Sequence, residues 1–159
     1  MASLKDLRNK IKSVKSIQQV TNAMRMVAAA KLRKSQENME LARPYTNSIE
    51  QIINHLIPDI DRALLPILES REIKKKLFLV ITADRGMAGA FNVNIIKRTE
   101  KEVAEFGTKN SYLICVGKKS HDYFKRRDYN ILDYYRDFWN TLNIDVALKI
   151  GENIVSKFI

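Results

Sequence analysis

With 159 residues, 45% hydrophobic and 29% charged, the chain is the size of one domain or one domain with an appendage, and is too apolar for a disordered tail. One cysteine excludes an internal disulfide and fits a reducing compartment; with His55 and His121 as the only histidines, it also excludes a Cys/His zinc site, and no metal is expected. No run nears eighteen uncharged apolar residues, and Met1-Ala2-Ser3-Leu4-Lys5-Asp6 lacks the layout of a secretory signal, while the net charge of +10 asks for an acidic partner: nucleic acid, anionic lipid or an acidic protein surface.

The charge sits at one end. Within residues 1–36, Lys5, Arg8, Lys10, Lys12, Lys15, Arg25, Lys31, Arg33 and Lys34 stand against Asp6 alone, a net of +8; the remaining residues carry +2. From Ser3 to about Leu56 there is no glycine and one proline, so one long helix is predicted. Ser3 followed by Asp6 is a capping-box pattern with a short acid. The apolar pattern runs Leu4, Leu7, Ile11, Val14 and then Ile17, Val20, Met24, Val27, each quartet spaced as a coiled-coil seam, with a slide of the seam between Val14 and Ile17. Leu41, Tyr45, Ile49, Ile52 and Leu56 continue it at helical spacing. Pro44 lacks an amide donor and crowds the carbonyl of Glu40, which predicts a bend there.

Such a helix would be about 80 Å long at ~1.5 Å per residue. A compact domain of this chain length is only about 30 Å across, so the helix is expected to protrude. Each large seam side chain is worth ~1.5–3 kcal/mol on burial. Leaving the row in water would therefore forfeit more than the whole net stability of an ordinary domain, ~5–15 kcal/mol. No later segment is long enough to cover it, so its partner is expected in another chain or in polypeptide outside this sequence.

Residues 58–76 read as a linker, punctuated by Pro58 and Pro66, with one short helical piece at 61–70. Then Leu77-Phe78-Leu79-Val80-Ile81-Thr82 is a continuous apolar run, predicting a strand covered on both faces. A glycine loop with Gly86 and Gly89 follows, then Asn92 as a cap for a helix over 93–106 with the stripe Ile96, Thr99, Val103, Phe106, stopped by Gly107. Tyr112-Leu113-Ile114-Cys115-Val116 is a second strand of the same kind, completing a βαβ unit with a parallel pair. A short helix at 118–126, a strand at 130–134 and a last helix at about 142–158, burying Ala147, Ile150, Ile154 and Phe158, complete the set. The fold class is α/β: a small Rossmann-like parallel sheet flanked by helices, with a long protruding coiled-coil helix before it. Residues 1–57 form the helix, 58–76 the linker and 77–159 the α/β domain. Ending on Phe158-Ile159 without a capping glycine or polar tail, that domain reads as incomplete.

A glycine loop between strand and helix is where nucleotide phosphates sit in doubly wound sheets. Here it reads Gly86-x-x-Gly89, not G-x-G-x-x-G, and Val116-Gly117-Lys118 ends the second strand without an acid for a ribose. Gly117-Lys118-Lys119-Ser120 resembles the end of a P-loop, but Tyr112 stands where its first glycine belongs. A tight turn needing glycine is the better account of Gly86 and Gly89, and no cofactor is expected. Cys115 lies mid-strand, and neither histidine has a catalytic neighbour, so no catalytic residue is identified. The basic helix could track nucleic-acid phosphates. Its cations, however, alternate with the apolar seam and no aromatic precedes Tyr45 for stacking, which favours a solvated or protein-facing surface.

Two motifs carry a resemblance. Thr21-Asn22-Ala23-Met24-Arg25-Met26-Val27-Ala28-Ala29-Ala30-Lys31-Leu32-Arg33-Lys34, with Ala42-Arg43-Pro44-Tyr45, resembles the N-terminal helix of the gamma subunit of F-type ATP synthase. Ile81-Thr82-Ala83-Asp84-Arg85-Gly86-Met87-Ala88-Gly89-Ala90-Phe91-Asn92 is similar to that subunit's strand–loop–helix motif, with Met87 and Ala88 in place of the family's usual leucine and cysteine. The resemblance runs in register along the whole chain. In the family, further sheet residues and a long C-terminal helix wound around the N-terminal one follow, so a fragment or a shortened form is expected here. The resemblance implies a non-catalytic rotor: the central stalk, with alpha and beta subunits of the catalytic head around it, an epsilon companion subunit and the membrane c-ring at its foot, and no nucleic acid. It implies that Met24, Arg25, Lys31, Arg33 and Lys34 meet the head, and a peripheral place on a membrane; the absence of a transit-peptide pattern favours the cytoplasmic face of a bacterial plasma membrane over an organellar inner membrane.

Overall fold

A computed structural model describes residues 3–61, 65–137 and 143–158. The chain divides into two compact units, Met1–Asp61 and Arg62–Ile159.

The first unit is the helix α1, Leu4–Leu56, followed by a 3₁₀ turn at Ile57–Asp59. Its start is a capping box: the Ser3 N–H donates to Asp6 Oδ2 at 3.1 Å, and Ser3 Oγ takes amide donors of the first turn, that of Lys5 at 3.3 Å. Those bonds satisfy orphan N–H groups where no preceding turn can. The helix runs through Pro44, which leaves the Glu40 carbonyl without its usual donor. Ser16, Thr21 and Thr46 donate their hydroxyls to carbonyls four residues back, at 3.1, 2.8 and 3.2 Å. In a helix without a packed face these hydroxyls have nowhere drier to go. No residue of α1 is buried.

The second unit holds three parallel strands in the order β1-β2-β3: β1 is Lys76–Ile81, β2 Ser111–Val116 and β3 Ile131–Tyr135. Three helices accompany them: α2, Phe91–Phe106, α3, Lys118–Lys125, and α4, Ile144–Phe158. The register pairs Val80 with Cys115 and Phe78 with Leu113. This face meets Ile96 and Val103 of α2 and Phe124 of α3 to make the core. On the opposite face, Asp133 and Tyr135 lie level with Ile114 and Val116. Asn153 of α4 donates to Asp133 Oδ2 at 2.8 Å and to the Tyr135 hydroxyl at 2.7 Å, which fixes α4 over that side.

Several expectations are corrected. β2 is covered on both faces, but β1 is not: Leu79 and Ile81 on its second face are 41% and 46% exposed, because α4 covers the β2–β3 side and β1 is an edge strand. Asn92 is not a helix cap. Ala90 holds the N-cap position of α2, and Asn92, one residue into the helix, turns inward instead. The last helix half-buries Val146, Ile150, Asn153 and Ile154 but leaves Ala147 and Phe158 exposed, with the Arg71 guanidinium over the Phe158 ring at 4.8 Å. The predicted helical piece at 61–70 is, in its described part, only the 3₁₀ turn Pro66–Leu68; 62–64 lie outside the described residues, as does the predicted helix start at 142.

Candidate functional site

Two places deserved chemistry on sequence grounds: the glycine loop after β1 and the basic, apolar face of α1. The loop lies at the carboxyl ends of the strands, where phosphates bind in open α/β sheets. In this chain the amides of Ala83, Lys118, Lys119 and Ser120, which surround that position, are bonded internally. Asp84, just past β1, accepts the Lys118 N–H on Oδ1 at 2.7 Å and the Asp137 N–H on Oδ2 at 3.0 Å. Its carboxylate thus holds the start of α3, the position that a ligand phosphate takes at a helix N-terminus. Asn92 Oδ1 accepts the Ala83 N–H at 2.9 Å, and the Lys119 N–H goes to the Ala83 carbonyl at 3.2 Å.

Beneath this lies a buried hydroxyl pair. Thr82 Oγ1 accepts the Ser120 N–H and donates to Ser120 Oγ, both at 2.9 Å, and Ser120 Oγ reaches the Gly117 carbonyl at 3.1 Å. Among the described residues no buried side-chain polar atom lacks a partner. The glycine demand is highest where it was not expected. A Cβ on Gly117 would lie 1.9 Å from the Thr82 carbonyl oxygen, and its φ is +103°. Gly89 is left-handed at φ +57° and so is Met87 at +58°, whereas Gly86 lies outside that region and has Lys119 no nearer than 3.8 Å.

Catalytic groups do not gather. Cys115 is fully buried in β2, and burial pushes its thiol up to about 11 against the weaker opposing pull of Ser120, so it is not a nucleophile at neutral pH. His121 stacks on Tyr134 at 4.1 Å, and His55 lies in the last turn of α1. The described residues contain no cluster of His, Cys, Asp or Glu able to hold a metal ion, and no helix long and apolar enough to cross a membrane.

On α1 the predicted seam is entirely in water: Leu4, Leu7, Ile11, Val14, Ile17, Val20 and Val27 are each more than half exposed. Met24 is 64% exposed within the same row. Arg25, Lys31, Arg33 and Lys34 share its stretch of helix, all exposed, and Arg33 is tied to Glu37 one turn on at 2.8 Å. Sequence reasoning named these residues but missed the Asp84, Thr82 and Ser120 contacts, whose partners lie 34 to 53 residues away and leave no periodic signal.

Residues 3–159 match the family model described as ATP synthase. The chain belongs to the ATP synthase gamma-chain family. It is 43% identical to the ATP synthase gamma chain of Desulforamulus reducens over all of its length and 56% of the relative's, and 44% identical to that of Prosthecochloris aestuarii over the same shares. The gamma chain of Chlorobium limicola is 41% identical, with 57% of it covered. This chain therefore spans little more than half the length of the curated gamma chains it matches. A structure of the central stalk and c-ring of the Tetrahymena thermophila mitochondrial ATP synthase aligns with a TM-score of 0.69 at 20% identity, over 87% of this chain and 59% of that one; the likeness is one of fold. Both motifs, Thr21 to Lys34 and Ile81 to Asn92, lie inside the gamma-chain match, one on α1 and one on the β1–α2 loop.

Proposed function

We propose that this chain is the central-stalk rotor subunit of an F-type ATP synthase, transmitting torque between a proton-driven membrane ring and the head that makes ATP. Residues 1–57 are the shaft, 58–76 a linker and 77–159 the foot. The observation that carries the reading is a helix of 53 residues with no buried side chain, in a chain whose relatives along its whole length are gamma chains. A shaft must present side chains to others rather than to its own domain, as α1 does, and its stiffness would come from supercoiling with a second helix.

In this reading the subunit performs no chemistry. Met24 and the cations Arg25, Lys31, Arg33 and Lys34 slide against alpha and beta subunits of the head, where long flexible cations keep contact with acidic surfaces at many angles without a deep pocket to trap one. The seam Leu4, Leu7, Ile11, Val14, Ile17, Val20, Val27 packs on a second helix of the stalk. The foot meets the epsilon subunit and the c-ring, and the complex sits on the cytoplasmic face of a bacterial plasma membrane.

The test uses the assembled enzyme. Arg25→Glu and Lys31→Glu in the complete stalk should leave the complex intact and change the ratio of protons pumped to ATP hydrolysed. Unchanged ATPase rate and pumping in both variants would remove these residues from the torque path, and failure of the chain to co-purify with the head subunits would remove the reading itself.

A further inference from the structure

The net charge of the second unit sits at one end of its sheet. Arg62–Ile159 carries 18 cations and 12 acids, a net of +6. All three strands are parallel, so the segments at their starts, 73–76, 107–110 and 125–130, come together at the amino ends. Those segments hold Lys74, Lys75, Lys76, Lys109, Lys125, Arg126 and Arg127 against Asp128 alone, again +6. The rest of the unit is neutral on balance. Among the described residues none of the seven cations makes an ion pair, whereas the nearby acids Glu69, Glu102 and Glu105 are paired with Arg71, Arg98 and Lys101.

The surroundings of these cations select among acidic partners. The Lys75 ammonium lies 5.6 Å from the centre of the Tyr112 ring, that of Lys76 4.6 Å from Phe106, and the Arg127 guanidinium 3.7 Å from Tyr123. A single-stranded nucleic acid stacks its bases on open aromatic faces, and here cations occupy those faces. Lys74, Lys109, Lys125 and Arg126 are exposed, and among the described residues no hydrogen bond or ion pair holds their side chains. Nothing fixes them to the spacing of a folded acidic partner. Ile73, 66% exposed, opens the lysine run.

We propose that this pole binds the surface of an anionic lipid bilayer, its cations on the headgroups and Ile73 at the boundary between headgroups and acyl chains. Anionic lipids diffuse within their leaflet and gather beneath flexible cations, so no fixed match of positions is needed. Each Lys or Arg close to a negative leaflet strengthens binding about fivefold, which makes four acting together worth roughly 600-fold. The opposite end of the sheet mixes Asp84 and Asp137 with Arg85, Lys118, Lys119 and Arg136 and is much less basic, so the contact has one orientation. Salt that shortens the Debye length should release it. The inference rests on the second unit alone and stands or falls independently of the rotor reading.

The experiment places an environment-sensitive fluorophore on the full chain at Thr108→Cys, an exposed site beside Lys109, or at Met87→Cys, in the fully exposed loop after β1 at the other end of the sheet. Cys115 is buried and stays unlabelled. The vesicles are phosphatidylcholine with or without about one-third phosphatidylglycerol. Because α1 is itself basic and apolar, the emission of each probe is read rather than the amount of protein on the vesicle. The probe at 108 should brighten and shift to the blue with the anionic vesicles at about 0.05 M salt, return to its free emission at about 0.5 M, and ignore phosphatidylcholine alone; the probe at 87 should stay unchanged throughout. Lys75→Glu/Lys109→Glu/Arg126→Glu should lose the response at 108, and Lys10→Glu/Lys12→Glu/Lys15→Glu on α1 should keep it, with far-UV circular dichroism confirming that both are folded. Should the first triple variant fail to fold, the salt reversal and the contrast between the two probes decide. A silent probe at 108 overturns the proposal, as does an equal response at 87, an equal response to phosphatidylcholine, or a response that survives the first triple substitution. A response at 108 to duplex DNA or to polyglutamate, with none to vesicles, assigns the pole to a nucleic acid or an acidic protein and overturns it too.

Discussion

Asp84 Oδ1 accepts the backbone N–H of Lys118 at 2.7 Å, joining the end of β1 to the start of α3 across 34 residues of sequence. The other carboxylate oxygen holds the Asp137 N–H, so one side chain ties the segments that follow all three strands. Hydrogen bonds to a charged group are each worth ~1.5–3 kcal/mol, at the low end where water competes. Asp84→Ala should destabilise the second unit by about 1–3 kcal/mol, and Asp84→Asn, which keeps one acceptor, by about half as much. Urea unfolding followed by a probe in the second unit checks this; an unchanged midpoint in Asp84→Ala would show the bonds to be water-replaceable.

The same carboxylate bears on nucleotides. A phosphate entering at the strand ends would meet a fixed negative charge where it needs donors, and the amides of Ala83, Lys118, Lys119 and Ser120 are already bonded within the chain. No saturable binding of labelled ATP by the isolated chain is expected, with or without magnesium. Saturation in the micromolar range would show that a different surface carries a site.

Gly117 and Gly86 should part company under the same substitution. At Gly117 an added methyl would collide with the Thr82 carbonyl at 1.9 Å, backbone against backbone, at a φ that L-residues avoid. Relief would require prying β1 from the α3 turn and breaking the Thr82–Ser120 pair. Gly117→Ala should cost more than about 4 kcal/mol and leave the second unit largely unfolded. Gly86→Ala, with only the flexible end of Lys119 at 3.8 Å, should change stability by less than about 1 kcal/mol. Circular dichroism and denaturation of the two variants side by side provide the check.

Periodicity and composition carried the elements: the glycine-free run to Leu56 became one helix, and the apolar runs around Val80 and Ile114 became neighbouring parallel strands. What they did not carry was which side of each element is covered. Leu79 and Ile81 are as apolar as Ile114 and Val116, and only the placement of α4 leaves the first pair exposed and the second buried. Asn92 next to a predicted helix start has a strong local preference for capping, yet the unpaired Ala83 amide nine residues away claims its side chain. On α1 the seam and the cations were legible because a helix exposed all round keeps its one-dimensional pattern. In the loop, the deciding partners come from distant segments, and a local pattern is silent about them.

The buried thiol gives the chain an alkaline limit. Cys115 is fully enclosed between the sheet and its helices, and burial raises its pKa from 9.0 to about 11. Above pH 9 an unfolded chain gives up this proton while the folded chain keeps it until about pH 11. The unfolded state thus binds fewer protons across that window, and folding stability falls as pH rises through it. The loss approaches roughly 2–3 kcal/mol at the upper end, and none of it is felt below pH 8. Tyrosines and lysines also titrate there, so the readout is the difference between the native chain and Cys115→Ala, which has no thiol to ionise and should show a shallower decline between pH 9 and pH 11. Parallel slopes for the two would mean that water reaches the thiolate in the folded state. Consistent with burial, a disulfide reagent at pH 8 should modify Cys115 only at the rate at which the second unit opens, and urea just below the unfolding midpoint should accelerate it steeply.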